Sequence, residues 1–202
     1  SVIMVESSNT GWKKIHESLK GTHPQCITFD PNNPDRAYCG TSGGGLWKTD
    51  GDGQSWNSIG KERISSSDVM SVSVSSLERA GKNNKGFNTV YVGTGPTAFY
   101  RSDDGGERWD KMSSLNDLKS SSLWSFPPRP WTSHVRWIES DKTKPGYVYA
   151  AIEAGALVQS HDGGKTWIDK VKGGPYDTHT LATHKKMPGR LYSAAGDGYF
   201  ES

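Results

Sequence analysis

QSHDGGKTW, residues 159–167, packs Gly163, Gly164, Asp162, Ser160 and Thr166 into a tight polar run that ends on Trp167. RSDDGGERW (101–109) repeats the pattern, and KTDGDGQSW (48–56) repeats it more loosely. Gly163 and Gly164 can take positive φ at little steric cost. Asp162 can accept from the amides of its own loop, as Ser160 and Thr166 can more weakly. A short apolar run precedes each loop: GLW at 45–47, AFY at 98–100 and ALV at 156–158. The stretch therefore reads as a β-hairpin with a stiffened loop, whose Trp buries a ring that the turn alone cannot cover. One copy would mean only a hairpin. Three copies mean a repeat.

Trp56, Trp109 and Trp167 are 53 and 58 residues apart. Two degenerate copies extend the series: IMVESSNTGW places Trp12 after a shortened loop, and GDGYFES ends at the residue that matches Ser160. A second pattern recurs upstream, in HPQCITFDPNNPDRAYCGT (23–41), HVRWIESDKTKPGYVYAAI (134–152) and HTLATHKKMPGRLYSAA (179–195). Each of these is a strand, a polar turn and a second strand centred on Tyr. Residues 71–95 are the same unit with a longer turn. The repeats centre on 1–12, 13–56, 57–109, 110–167 and 168–202 of one domain, 1–202. A full unit offers strands A to D, with the Gly/Asp loop joining C to D. Four-strand units of ~40–50 residues predict an all-β fold, the β-propeller.

The loops resemble the Asp-box, or BNR, repeat, Ser/Thr-x-Asp-x-Gly-x-Thr-Trp. Ser160, Asp162, Gly164, Thr166 and Trp167 match it in full. Ser102, Asp104, Gly106 and Trp109 match with Arg108 in place of Thr. In the first copy Thr49, Gly53, Ser55 and Trp56 match, while Gly51 takes the Asp position between Asp50 and Asp52. The resemblance implies a propeller of four-stranded antiparallel blades with about four repeats present, a segment of a larger ring or one completed by another chain. It implies little about function, because such propellers include sialidases, xyloglucan-cleaving enzymes, sortilin-like sorting-receptor ectodomains and photosystem assembly factors.

Only 32% of the residues are hydrophobic, yet there are eight Trp, eight Tyr and 24 Gly, which suits thin sheets stacked through aromatics. No run approaches the roughly 18 apolar residues of a bilayer span. The net charge of +2 comes from interleaved signs, so no basic stripe points to nucleic acid. SVIMV is too short for a signal peptide, and the missing Met points to a trimmed chain, which leaves the compartment unknown. LERAGK (77–82) is the one stretch with the look of a helical turn. If residue 29 pairs with 36, Cys26 faces Cys39; two free thiols are favoured over a disulfide.

Strand alternation places the D-to-A and B-to-C connections on one face and the Gly/Asp loops on the other. Asp104 and Asp162 are thereby read as turn stabilisers, with too few oxygens nearby for calcium. On the first face, His23, Asp68, His134 and His179 begin successive A strands and point towards the axis. Trp124, Arg129 and Trp131 surround them in the Pro-rich WSFPPRPW, as do Tyr176 and Asp177 in GGPYDTH. The B-to-C loops add Thr41, Thr94, Glu153 and Asp197. Aromatic faces beside Arg, Asp and Glu suit a carbohydrate or small polar ligand. Alternatively these residues cap the inner strands and touch the next blade. No metal and no other cofactor is expected, because the His come from different units with no short spacing.

Two classes compete. One is a binding or scaffold module holding a glycan, peptide or protein; the other is a sialidase- or xyloglucanase-like glycoside hydrolase. A sialidase needs three converging Arg, and inner-strand Arg are scarce: Arg136 shares the side of His134 unless its strand is irregular, and Arg129 is in a loop. An inverting glycosidase needs two carboxylates ~6.5–9.5 Å apart, and nothing in the sequence pairs Asp68, Glu153, Asp177 or Asp197. Binding is the favoured reading.

Overall fold

A computed structural model describes residues 1–9, 11–79, 86–126, 132–170 and 173–202. It opens with a hairpin of β1 (Val2–Ser8) and β2 (Gly11–Ser18). A four-stranded sheet follows: β3 (His23–Asp30), β4 (Asn33–Ser42), β5 (Gly45–Thr49) and β6 (Asn57–Ile59). The next sheet holds β7 (Asp68–Arg79), β8 (Asn88–Gly95), β9 (Phe99–Ser102) and β10 (Asp110–Lys111). The third is β11 (Val135–Ser140), β12 (Val148–Ile152) and β13 (Ala156–Ser160). Its fourth strand is reduced to a bridge between Gln159 and Ile168. The last sheet is β14 (Thr178–Thr183), β15 (Leu191–Ala195) and β16 (Gly198–Glu201). All pairings are antiparallel, each strand beside its sequence neighbour. The order is therefore a hairpin, two four-stranded units, a unit of three strands and a bridge, and a three-stranded unit.

The units stand side by side through their inner strands: β3 against β7, β7 against β11, β11 against β14. Residue size on the second strand makes this approach possible. A Cβ on Gly93 would lie 2.5 Å from Val135 Cβ, and one on Gly40 2.6 Å from the Val69 carbonyl. Gly40 and Gly93 pair with Cys26 and Ser71, and Ala151 and Ala194 hold the same position opposite Trp137 and Thr180. A small residue at this point lets the next unit's inner strand cross in van der Waals contact.

Apolar packing fills the two central interfaces. Tyr38, Leu46, Val69, Val90, Tyr100 and Trp109 form one core; Tyr91, Phe99, Val135, Ile138, Ile152 and Val158 form the other. Polar stitches cross these two interfaces and the one between the third and fourth units. Ser71 Oγ donates to the Val135 carbonyl at 2.8 Å, Asn88 Nδ2 to Asp30 Oδ1 at 2.9 Å, and the Thr183 amide to Glu139 Oε1 at 2.8 Å.

The Gly/Asp loops are built alike. The Gly164 amide donates to Ser160 Oγ at 2.8 Å, and the Ser160 hydroxyl donates to Asp162 Oδ1 at 2.9 Å. Asp162 also accepts from the Thr166 amide (2.9 Å) and hydroxyl (2.6 Å), while Trp167 Nε1 donates to the Gly164 carbonyl (3.1 Å). In the second loop Ser102, Asp104, Gly106 and Trp109 repeat these bonds. There Arg108 Nε donates to Asp104 Oδ2 at 2.8 Å, replacing the missing Thr hydroxyl with a cation. In the first loop Thr49 Oγ1 accepts from Gly51 and Gly53, and Trp56 Nε1 donates to the Gly53 carbonyl at 3.0 Å. Asp52 differs: it takes φ +55° and, among the described residues, its carboxylate accepts from the nearby Gln54, because Gly51 sits at the loop-closing position.

Three local expectations are corrected. Trp12 does not join the Trp series: it lies within β2 opposite Ser7 and is 75% exposed, since no Gly/Asp loop precedes it to receive its indole. Cys26 pairs with Gly40 and Cys39 with Ile27, because irregularities at both ends of the β3–β4 ladder move the register by one. The cysteines are therefore not opposite, and both are free. Leu77–Arg79, the start of the suspected helical turn, extend β7; residues 80–82 lie outside the described ones. Two short 3-10 turns, Ser113–Asp117 and Lys119–Leu123, are the helical segments among the described residues, and no helix is long and apolar enough to cross a membrane.

Candidate functional site

Every inner strand carries a β-bulge near its start: between Pro24 and Cys26, Val69 and Ser71, Val135 and Trp137, and Thr178 and Thr180. The bulged residues are Gln25, Met70, Arg136 and His179. This register corrects the alignment of strand starts. His23, Asp68 and His134 are equivalent to Asp177, and His179 is equivalent to Arg136. A bulge turns one extra side chain towards the strand end, and here that brings two groups to one place.

That place is the junction of the third and fourth units. His134 Nε2 lies 2.5 Å from Glu153 Oε2, and Arg136 Nε lies 3.6 Å from the same oxygen. The other oxygen, Glu153 Oε1, faces His179 Nε2 at 3.8 Å. His179 Nε2 is also 3.4 Å from Asp177 Oδ1, which accepts from the Ala154 amide at 3.2 Å. Glu153 is 9% exposed, whereas Asp177 and His179 are half open to solvent, at 29% and 45% of their side chains. Phe126 stands edge-on to the His134 ring at 5.6 Å. The arrangement is a buried acid clamped on one oxygen, with a carboxylate and an imidazole at the surface beside the other.

The supporting loops are fixed by backbone bonds. Asp197 accepts from the Tyr176 and Asp177 amides at 3.0 and 3.3 Å, which with lesser contributions hold its carboxyl below the usual range. The Gly155 amide donates to the Tyr176 carbonyl at 3.1 Å, tying the loop after β12 to the approach of β14. Trp124, 6% exposed, lies against Gly155, where a Cβ would come within 2.9 Å of its ring. Trp124 thus packs the loop and does not face solvent.

Other candidate residues fall elsewhere. Asp68 accepts from Ser42 Oγ (2.6 Å) and the Gly43 amide (3.0 Å), pinning the first unit's B-to-C turn. Asp177 treats Ala154 in the same way, so an acid at this position staples neighbouring units. Thr41 and Thr94 donate to carbonyls of their own turns. His23 pairs along β3 with Ser42, in the first unit and away from the third-to-fourth junction. Tyr176 is 57% exposed beside the cluster. Arg129 and Trp131 lie outside the described residues. Arg136 was weighed only as a sialidase arginine, and its convergence with the other groups on Glu153 was missed. The signal available was Glu153 itself, an acid where the other units have Ser42, Gly95 and Gly196.

No family model matches the chain, and no curated protein sequence matches it. Solved structures do. An ancestral GH74 enzyme aligns over 90% of this chain and 23% of its own at 17% identity, with a TM-score of 0.65. The GH74 xyloglucanase of Xanthomonas campestris aligns over 98% of this chain and 29% of its own at 16% identity, TM-score 0.61. YCF48 bound to D1 peptide aligns over 87% of this chain and 48% of its own at 17% identity, TM-score 0.51. The fold is an arc of a β-propeller. The chain spans about a quarter of the GH74 enzymes' length and about half of that YCF48. At these identities the likeness extends to the blades and stops short of the chemistry.

Proposed function

We propose that this propeller arc is a binding module that holds a glycan, peptide or protein ligand on the face opposite its Gly/Asp loops. The contacts are His134, Glu153, Asp177, His179 and Tyr176, with Asp68 and His23 as further members of the same face; Arg129 and Trp131, outside the described residues, are added from the sequence alone. The three loops are structural Asp-box turns of BNR type, and missing blades or another chain complete the ring. The observation that carries the reading is the geometry at Glu153. This acid is nine-tenths buried and clamped by His134, and its carboxylate oxygen comes within 4.8 Å of Asp177. An inverting pair of carboxylates stands ~6.5–9.5 Å apart to admit a water. A pair this close leaves no room for that water and, spanned by His179, is suited to gripping a polar group; its nearness to the ~5–5.5 Å of a retaining pair is what keeps a hydrolase as the second reading. The neighbour with a bound peptide supports a peptide or protein ligand.

The second reading, a glycoside hydrolase, draws on the GH74 likeness and on acidic groups sharing this face. A glycan and peptide array probed with the intact chain, beside a turnover assay on aryl glycosides, separates the two. The binding reading requires array signals that His179→Ala removes, with no turnover. Turnover lost in Glu153→Gln would replace it with the hydrolase reading.

A further inference from the structure

Glu153 divides its two oxygens between different tasks. Oε2 is held by His134 at 2.5 Å and approached by Arg136 at 3.6 Å. Oε1 receives no hydrogen bond among the described residues, although the residue is only 9% exposed. A second oxygen that meets no donor, on a carboxylate whose residue is nine-tenths buried, favours a positive partner. Oε1 faces His179 Nε2, which also faces Asp177 Oδ1, and one ligand atom from each of the three residues lies within 4.8 Å of the others.

These separations suit a metal ion. With bonds of 2.0–2.2 Å, the ligand atoms of a tetrahedral zinc site are about 3.4 Å apart. His179 Nε2 stands 3.4 Å from Asp177 and 3.8 Å from Glu153. Only the Glu153–Asp177 edge needs to draw in appreciably. The donor set, one imidazole and two carboxylates, belongs to zinc and its first-row neighbours more than to calcium, which takes 6–8 oxygens. His134 completes the pattern from outside, since an outer residue that fixes the second oxygen of a ligating carboxylate is a regular part of such sites. Arg136 offsets part of the negative charge and so weakens the site without filling it.

We propose that Glu153, Asp177 and His179 form a divalent transition-metal site, with His134 as its positioning residue and a fourth position open to solvent. The site rests on the proposed ligand-binding face and deepens that reading, for the open position would take a carboxylate, hydroxyl or imidazole of the ligand. Nothing in the spacing of the His residues signals it, because the ligands come from two units and meet only through the bulge at His179.

The test is calorimetric titration of the metal-stripped full chain with Zn²⁺ at pH 7.5, repeated with Co²⁺ and followed by its visible absorption. The proposal expects one saturable site, with cobalt bands of four- or five-coordinate intensity. His179→Ala and Asp177→Asn should each weaken binding by at least tenfold, and His134→Ala by about 10–100-fold, the usual effect of losing an outer partner. His161→Ala, in the Gly/Asp loop of the opposite face where it stacks on Tyr147, should leave the isotherm unchanged. Circular dichroism melts of each variant separate metal loss from unfolding. No saturable zinc binding, or binding that survives His179→Ala in a folded protein, overturns the proposal. Running the ligand array with and without EDTA keeps the two readings apart. Array signals that persist in EDTA, in a protein that binds no zinc, reject the metal site and keep the binding module; zinc binding with no array signal does the reverse.

Discussion

Gly93→Ala should destabilise the protein although it adds one methyl group to a strand. In an ordinary strand that exchange stabilises by roughly 0.5–1 kcal/mol, through the entropy that Gly gives up on folding. Here the new Cβ would stand 2.5 Å from Val135 Cβ and 2.6 Å from its Cγ1. Val135 is fully buried in the core between the second and third units, and its carbonyl is held by Ser71. It has no room to retreat. Overpacking of this kind costs about 1–3 kcal/mol, so the net loss should be about 1–2 kcal/mol. For a chain of this size that corresponds to a fall in Tm of roughly 2–8 °C. Urea unfolding followed by Trp fluorescence gives the free energy, and a thermal melt checks it. Ala151→Gly is the control: the equivalent site in the third unit already accepts a Cβ, so the reverse change should cost only ~0.5–1 kcal/mol. A Gly93→Ala protein as stable as the parent, or more so, would refute the close approach of inner strands on which the whole arc depends.

Trp109→Ala should cost ~3–5 kcal/mol, as for a large buried aromatic; Trp167→Ala should cost less, being only partly buried, and urea midpoints rank the two. Burial acts to raise the Asp162 carboxyl, but bonds from the Thr166 side chain and backbone and from Ser160 outweigh it and leave its pKa below the ordinary value. Asp104 behaves likewise, with Arg108 as the main donor. Because the folded pKa is depressed, the stabilisation is present above the unfolded value near pH 4 and is lost as pH falls through the folded one. Asp104→Asn and Asp162→Asn should therefore lower the melting temperature at pH 7 and have progressively less effect below pH 4. Burial raises the Cys26 thiol to about 12 and the Cys39 thiol to about 11. A thiol reagent such as DTNB should thus titrate two groups in urea and react slowly with the folded chain.

The four-strand units and their order were legible because turn chemistry is local. Gly, Asp, Ser and Trp at fixed offsets dictate the loop wherever they occur, and Arg108 serves Asp104 as Thr166 serves Asp162. Trp12 misled because a Gly-Trp pair resembles the end of such a loop, although the sequence before it is not a Gly/Asp loop. The face that gathers the polar groups was also legible from strand alternation. The cluster on it was not. Its assembly depends on bulges, which shift the pairing by one residue without a signature in residue type, and so His179 was aligned two positions from its true equivalent. Glu153 offered a weak sign by standing where the other units have Ser or Gly. Arg136 was legible only as a strand neighbour of His134, since its approach to Glu153 follows from the bulge in its own strand.

The division of labour between the two faces is the claim on which the functional account stands. It is tested most directly by probing one glycan and peptide array with three proteins of matched foldedness: the parent, Asp162→Asn and Asp177→Asn. The account predicts that Asp162→Asn, altered in a loop of the scaffold face, reproduces the parent's binding pattern at lower thermal stability. Asp177→Asn, which can still accept from the Ala154 amide through its side-chain carbonyl, should melt near the parent and lose the signals. The reverse result, signals lost with Asp162 and kept with Asp177, would place the ligand on the loop face and contradict the account.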